Sequence, residues 1–358
     1  MPTAGRWRIL AVAGAAALAL GAVALRRPAT AAAPEEFPLL LSETGLYAPD
    51  GSIHPANRPF SPQYPLWTDG ATKRRWVRLP AGASIDARDM DAWRFAAGTV
   101  FWKEFAWQGR PVETRVIRIQ ADGSAAYATY MWNAAGTEAR LAPERGVARG
   151  HELTRDRWHT IPATADCANC HESGPSRILG FSALQLSDDR DPLAPHAEPL
   201  PAAALTLRTL VAERRLRTRT AAEAAVAPRI TARDEVERAA LGYLSSNCGS
   251  CHNAAGPLAR LGFSLRPDVT YGSPGPARHG HLGPAIAATL RHSGRFPLPG
   301  DTTGARLIEP GAPEVSAVIH RMRSRRPATQ MPPLGTVLVD SAGVELVRRW
   351  IAGMRVHE

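Results

Sequence analysis

Alternating apolar and polar positions in the first half of the chain predict an antiparallel β-meander. Residues 99–107, 112–120 and 125–132 each have the pattern of a strand, because every second side chain of a half-buried strand faces the core. The turn signals Gln108-Gly109-Arg110 and Asp122-Gly123 separate them. Residues 75–79 predict a further strand.

The second half of the chain has the periodicity of helices. One apolar stripe runs directly into Cys248 and consists of Val236, Ala240, Leu241 and Leu244. Another predicts a C-terminal helix over residues 341–354 and consists of Val344, Leu346, Val347, Trp350 and Ile351. Residues 202–227, rich in Ala and Arg, predict a helix after an Asp- and Pro-rich linker at residues 187–201.

The N-terminal residues 1–32 have the pattern of a secretory signal peptide. Arg6 and Arg8 precede the uncharged residues 9–25, and small residues follow, with a cleavage site at residues 29–31 or 30–32. An uncleaved membrane anchor is the alternative, although the stretch is near the lower length limit of a span. Under either interpretation we expect the rest of the chain to be exported to the periplasm, and only an uncleaved segment would attach it to a membrane.

The composition of the 358-residue chain excludes several classes of protein. Apolar residues make up 44% and charged residues 21%, which is typical of packed domains rather than disorder. The net charge is +10, and it falls to +6 without the four arginines of the N-terminal segment. So mild a charge on an exported chain argues against nucleic-acid binding. Lys73 and Lys103 are the only lysines.

Tryptophan is concentrated in the β region, because seven of the nine lie between Trp67 and Trp158. Aromatic residues of strands usually pack inside the fold. We therefore interpret this group as the core of a small β domain, and a sugar-binding platform is the alternative.

All four cysteines belong to two Cys-x-x-Cys-His motifs, the attachment signal of c-type haem. Two thiols at this spacing form thioether bonds to the two vinyl groups of one haem, and the adjacent histidine supplies the proximal iron ligand. The sequence therefore predicts two covalently bound haem c groups. Haem one would be held by Cys167, Cys170 and His171, and haem two by Cys248, Cys251 and His252.

Two other uses of these cysteines explain the pattern less well. A redox disulfide does not require the following histidine, and neither does a structural zinc site. Export adds independent support, because c-type haem is attached outside the cytoplasm.

The surroundings of the second motif are those of a class I cytochrome c. Ala240 and Leu244 lie eight and four residues before Cys248, where such a cytochrome has a small and an apolar residue so that its first helix can cross its last. Met331 lies in the Pro-containing segment of residues 330–335, which suits a rigid loop carrying a thioether ligand. We predict Met331 as the distal ligand of haem two and Met322 as a core residue.

The first motif has no comparable methionine after it, so the distal ligand of haem one stays open. The iron is either five-coordinate or bound by one of five candidates, which are Met131, His151, His159, His279 and His281. Because Trp158, Ile161 and Pro162 come just before the motif, we expect β-domain residues to wall haem one in a pocket shared between two domains.

Residues 64–76, with the sequence YPLWTDGATKRRW, resemble the signature block of a family of exported bacterial di-haem c-type cytochromes. Further blocks similar to this family lie at residues 41–47, 112–115, 132–133 and 167–186. The resemblance covers nearly all of the chain after the N-terminal segment. It implies a C-terminal class I cytochrome c domain, and that the β region and the first motif belong together.

These observations predict an α+β multidomain protein. An antiparallel β-rich domain at residues 34–165 precedes the first motif and a helical linker at residues 166–233. A mainly helical, class I cytochrome c-like domain follows at residues 234–358.

The predicted function is electron transfer between periplasmic redox partners, such as a dehydrogenase, with no catalytic residues. The alternative is a peroxidase-like haem enzyme in which haem one is the open catalytic site and haem two relays electrons, which requires a positioned acid or base. A binding module built on the Trp-rich domain is a third hypothesis.

Overall fold

The part of the chain that the structure describes contains a six-stranded antiparallel sheet, three two-stranded sheets and seven α-helices. This computed structural model covers residues 36–271, 284–290, 292 and 306–355. The strands are β1 (Arg58–Pro59), β2 (Thr72–Arg78), β3 (Ile85–Asp86), β4 (Val100–Trp107), β5 (Arg110–Ile119), β6 (Ala125–Trp132), β7 (Ala139–Leu141), β8 (Val147–Thr154), β9 (Arg157–Ile161), β10 (Leu216–Arg217), β11 (Arg229–Ile230) and β12 (Val269–Thr270). The helices are α1 (Thr164–His171), α2 (Leu207–Ala212), α3 (Ala221–Ala225), α4 (Glu235–Asn247), α5 (Pro284–Leu290), α6 (Ala317–Arg323) and α7 (Ser341–Ala352).

The large sheet has the strand order β1-β2-β4-β5-β6-β7, with every neighbouring pair antiparallel. The meander predicted from the alternating pattern is β4, β5 and β6. Gln108 and Gly109 both have positive φ in the turn between β4 and β5, as a tight hairpin with right-handed twist requires. Strand β2 begins at Thr72, three residues earlier than predicted.

Each face of the sheet is covered by a separate apolar cluster. On one face Trp76, Trp102 and Tyr130 pack against the N-terminal residues around Leu41. On the other face Phe101 joins a cluster with residues 178–210. Four of the seven tryptophans of this region, Trp76, Trp93, Trp102 and Trp107, are buried, which matches their interpretation as core residues.

Helices α4, α6 and α7 pack around a second core that contains Met322. Asp234 and Asp340 cap α4 and α7 by accepting hydrogen bonds from backbone amides. Gly343 of α7 lies so close to the Tyr243 ring that a Cβ there would overlap it, so the glycine allows the two helices to approach closely. Both helices follow the predicted stripes, and α4 ends one residue before Cys248.

The residues just before β2 join the sheet to the helical core. Tyr64 belongs to the same core as α4 and α7, and its ring lies against Gly242, where a Cβ would overlap it. The Tyr64 hydroxyl donates to Asp191 Oδ2 at 2.9 Å, and Trp67 N donates to Asn247 Oδ1 at 2.8 Å. From Phe37 onward the described residues accordingly form one compact unit.

One prediction for the connection between the halves of the chain is wrong. The helix predicted over residues 202–227 is interrupted between α2 and α3 by β10, because Leu216 and Arg217 pair in parallel with β3 instead of continuing the helix. The predicted linker at residues 187–201 contains no helix or strand, and it packs against the rest of the described chain. Asp191 and Ala194 in it are buried, since Asp191 accepts the Tyr64 hydrogen bond.

The predicted signal peptide or anchor at residues 1–32 lies outside the described residues. Among the helices that the structure describes, none combines the length and the apolar composition that a membrane span requires.

Substituting Gly242 tests whether the Tyr64 contact joins the sheet to the helices. Gly242→Ala should lower the free energy of unfolding by about 1–3 kcal/mol, because the added methyl group overpacks the contact. Helix propensity alone would favour alanine by about 1 kcal/mol, so a net loss can be assigned to the contact. Urea denaturation followed by circular dichroism measures it.

The matched control is Ser245→Ala, at a half-buried position of the same helix, which should change stability by less than about 0.5 kcal/mol. Equal stability of the two variants would contradict the close contact.

Candidate functional site

The first Cys-x-x-Cys-His motif lies on α1, which follows β9 after two residues. Asp166 Oδ2 accepts a hydrogen bond from Ala163 N at 3.0 Å and closes the first turn of the helix. Cys167 and Cys170, three residues apart on one helix, are on neighbouring turns of the same face. The helix packs beside β6, and Thr129 of this strand lies near the Cys167 thiol.

The His171 side chain is held in one tautomer. Its Nδ1 lies 2.6 Å from the carbonyl oxygen of Arg177, so Nδ1 must carry the proton and Nε2 keeps its lone pair. Burial lowers the pKa of His171 to about 4, which keeps the ring neutral. A neutral imidazole whose other nitrogen donates to a carbonyl is the arrangement found for metal-ligating histidines.

The second motif begins where α4 ends. Cys248 N donates to Leu244 O at 2.9 Å, and His252 N donates to Cys248 O at 2.9 Å, so the motif forms a compact turn. The His252 ring stacks on Phe263 at 4.7 Å between centroids, and burial lowers its pKa to about 4. Its Nδ1 is buried and has no hydrogen-bond partner in the described part of the chain.

The two motifs, far apart in sequence, lie side by side. Asn253 Nδ2 donates to Ser173 O at 3.1 Å, which joins the residues immediately after His171 and His252. A Cβ at Gly256 would overlap the same carbonyl oxygen, and one at Gly174 would touch Ser250 O at 3.4 Å. Helix α1 therefore lies between the sheet and the second motif.

Met331 and Cys248 line the same cavity, whose walls also include Trp67, Tyr243 and Met322. The two methionines differ in environment. Met322 is buried in the helical core, as predicted, whereas Met331 is half-buried and lies outside that core.

The loop that carries Met331 is fixed from both sides. Gln330 Nε2 donates to the carbonyl oxygen of Pro332 at 3.2 Å and to that of Pro333 at 3.3 Å. Asp69 Oδ1 accepts hydrogen bonds from Val337 N at 2.9 Å and Leu338 N at 2.8 Å. Asp69 belongs to the segment that joins the sheet to the helices, so the sheet side of the protein positions the methionine loop.

The orientation of His171 fits a haem at the first motif. The tautomer of His171 leaves Nε2 free for a metal, and the shared cavity brings Cys248 and a thioether together. Burial raises the pKa of the Cys167, Cys170 and Cys248 thiols, which disfavours the thiolates that a zinc site or a redox disulfide would use.

No group of three or more His, Cys, Asp or Glu side chains in the described ranges is arranged to hold a metal ion. Haem brings its own four nitrogen ligands, so it requires only axial ligands from the chain.

The described candidates for the distal ligand of haem one are neighbours, because His151 pairs with His159 across β8 and β9, and Met131 pairs with Glu113 across β5 and β6. His159 is buried, with Nε2 3.1 Å from Glu113 Oε1, and its ring lies 4.6 Å from that of Trp107. The His151 ring lies 5.2 Å from the same Trp107 ring, measured between centroids. Met131 is half-buried on β6. His279 and His281 lie outside the described residues.

A cluster of charged side chains beside the first motif was not predicted from the sequence. Lys73, Arg75, Lys103 and Arg115 share one face of the sheet with Glu113. Their spacing of two residues along β2 and β5 was visible in the sequence, but it could not show that this face is covered.

Comparison with protein-family models, curated proteins and solved structures found no match to this chain.

Proposed function

We propose that this protein is a di-haem c-type cytochrome that carries electrons between redox partners outside the cytoplasm. The contact between the two haem-attachment motifs, from Ser173 to Asn253, is the observation that carries the proposal. Cofactors attached to touching segments are neighbours, and an electron relay requires neighbouring cofactors.

Haem one would be bound through Cys167, Cys170 and His171, and haem two through Cys248, Cys251, His252 and Met331. When bound, each haem supplies an iron that accepts or releases one electron.

The chain's own residues hold these ligands in place. The Arg177 carbonyl orients His171 with Nε2 free, and Phe263 stacks on His252. Asp69 and Gln330 restrain the loop of Met331, and a methionine ligand favours a high reduction potential.

The resemblance of residues 64–76 to exported di-haem cytochromes supports the same proposal. In the structure this block includes Tyr64, Trp67 and Asp69, the residues that join the sheet to α4 and to the methionine loop. We infer that residues 234–358 are a class I cytochrome c-like domain, and that a soluble or membrane-bound dehydrogenase is a suitable redox partner for the exported protein.

A haem enzyme is the second candidate, and one buried group favours it. Glu113 lies between His159 and Arg115 near the thiols of the first motif, and its Oε2 is buried without a partner in the described residues. A carboxylate and a histidine beside an open iron are suited to moving protons.

The number of covalent haems tests the proposal directly. The full-length chain, exported in a host that matures c-type cytochromes, should carry two haems by mass spectrometry. Cys248→Ala/Cys251→Ala and Cys167→Ala/Cys170→Ala should each carry one, while Ser250→Ala, inside a motif, should retain two. A wild-type chain with a single haem would refute the di-haem assignment.

Comparing the two methionines tests the ligand of haem two. Met331→Ala should remove the weak sulfur-to-iron absorption band of the ferric protein and shift one reduction equilibrium by about tenfold or more toward the oxidised form, or about 59 mV. Met322→Ala should keep both properties but lower the free energy of unfolding by about 2–5 kcal/mol, because it leaves a core cavity. The reverse pattern would exclude Met331.

The spin state of ferric haem one separates the relay from the enzyme. For a relay, electron paramagnetic resonance of the purified two-haem protein should show only low-spin signals, because both irons are six-coordinate. A high-spin signal that cyanide converts to low-spin would instead support the enzyme, since it requires an open iron.

A further inference from the structure

Three cationic side chains lie side by side on one face of the large sheet. Arg75, Lys103 and Arg115 are direct cross-strand partners on β2, β4 and β5, and we call them the cation row. The next position of the row, on β6, is Thr129. Like charges directly opposite each other destabilise a sheet, so this arrangement requires a compensating negative charge.

The cation row lies on the covered face of the sheet, where Arg75 is buried and Lys103 and Arg115 are half-buried. Arg75 is 6% exposed, and on β4 Lys103 stands between Phe101 and Phe105, which share its face of the sheet. Its ammonium is 4.8 Å from the centroid of the Phe105 ring. Burial, followed by the nearby cations, holds the pKa of Lys103 well below its usual range.

The carboxylates of the described chain neutralise this face only in part. Glu198 forms an ion pair with Arg75 at 2.5 Å, and Glu113 forms one with Arg115 at 2.5 Å. Lys73, on the same face and also buried, adds a fourth cation, and Lys103 has no ion pair with any described carboxylate. Four basic side chains face two carboxylates, so two of them have no acidic partner when all four are protonated.

Asp340 is a further carboxylate that acts on Lys73, but its hydrogen bonds are made to other groups. His196 Nε2 lies 2.9 Å from its Oδ1, and Gly343 N donates to the same oxygen at 2.9 Å. Asp340 is therefore committed to the start of α7. Because unpaired buried charges are costly, the two excess cations indicate a dianionic partner.

The cation row begins at the first haem-attachment motif. Helix α1 packs against β6, which carries Thr129, and Arg115 is close enough to the thiols of Cys167 and Cys170 to influence both. Since neighbouring strands are about 4.8 Å apart, Arg75 lies about 10 Å beyond Arg115. The row therefore extends from the thiols into the covered face of the sheet.

Resting on the proposed haem attachment at Cys167 and Cys170, we propose that the cation row binds the two propionate groups of haem one. Haem forms its thioether bonds at one edge and carries its two propionates at the opposite edge. The cation row starts near the thiols and leads away from them, so its far members can reach the propionates. Two propionates supply the two missing negative charges. Arginine and lysine are the side chains that pair best with carboxylates.

This assignment has a consequence for electron transfer. Oxidation adds a positive charge at the iron, and nearby cations oppose it, so the cation row favours the reduced form of haem one. Removing one cation should therefore lower the reduction potential of that haem alone.

The experiment uses the purified two-haem protein and two variants of the row, Arg75→Gln and Lys103→Gln. Redox titration should show one of the two reduction equilibria shifted at least tenfold toward the oxidised form, which is 59 mV for one electron, while the other is unchanged. The propionate bending band in the resonance Raman spectrum should shift in the same variants.

Arg74→Gln is the matched control, because Arg74 neighbours Arg75 on β2 but is 65% exposed and pairs with Glu104. It should leave both equilibria within threefold of the wild type. Lys103→Arg preserves the charge, so it should keep the wild-type potential and shows whether the effect of Lys103→Gln comes from charge rather than misfolding.

The outcomes separate this site from the proposed function. A chain without covalent haem would overturn both. Two covalent haems with unchanged equilibria in Arg75→Gln and Lys103→Gln would overturn the propionate site alone. If inorganic phosphate shifts one equilibrium of the wild type, and Arg75→Gln abolishes that shift, the row binds a free oxyanion and the assignment to the propionates is wrong.

Discussion

The contact between Tyr64 and Gly242 is the constraint on which the positions of both cysteine motifs depend. The absence of a side chain at Gly242 lets the Tyr64 ring reach α4, and Tyr64 is thereby buried in the core of α4 and α7. The same segment then places Trp67 against Asn247, just before Cys248, and Asp69 against the loop after Met331. A short stretch before the sheet thus positions residues on both sides of the second motif.

This docking also brings the first motif into contact with the second. Helix α1 is carried by the β8–β9 hairpin beside β6, and the residues after His171 meet those after His252 through Asn253. The first motif has no helical domain of its own in the described residues and instead packs beside β6 of the sheet. Charged side chains of the sheet can therefore act on a cofactor bound there, which is the basis of the proposed propionate site.

Burial of charge distinguishes the two proposed haem sites. Around the second motif Tyr243 and Phe263 are aromatic neighbours, and Arg325 and the buried Asp340, which is hydrogen-bonded, line the same cavity. Beside the first motif lie Lys103, Arg115 and Glu113, which are costly to bury without partners. A protein can tolerate the free-energy cost of burying these charges when a bound group of opposite charge compensates it. We therefore expect a bound anionic group on this side of the sheet.

Much of the local structure was predictable from the sequence. The alternation in β4, β5 and β6, the stripes of α4 and α7 and the two Cys-x-x-Cys-His motifs depend only on neighbouring residues, because strand and helix periodicity and the reach of two thiols are local properties. Met322 was likewise recognisable as a core residue from its helical position.

Only the tertiary structure decided which distant residues meet. Residues 202–227 have helical composition, yet β10 pairs with β3 there, because a hydrogen-bonded partner far along the chain overrides local propensity. The sequence shows Lys73, Arg75, Lys103 and Arg115 as ordinary charged strand positions. That they form one group on the covered face near Cys167 follows from the register of three strands and from the segments that cover the sheet, and these are long-range contacts that no local pattern encodes.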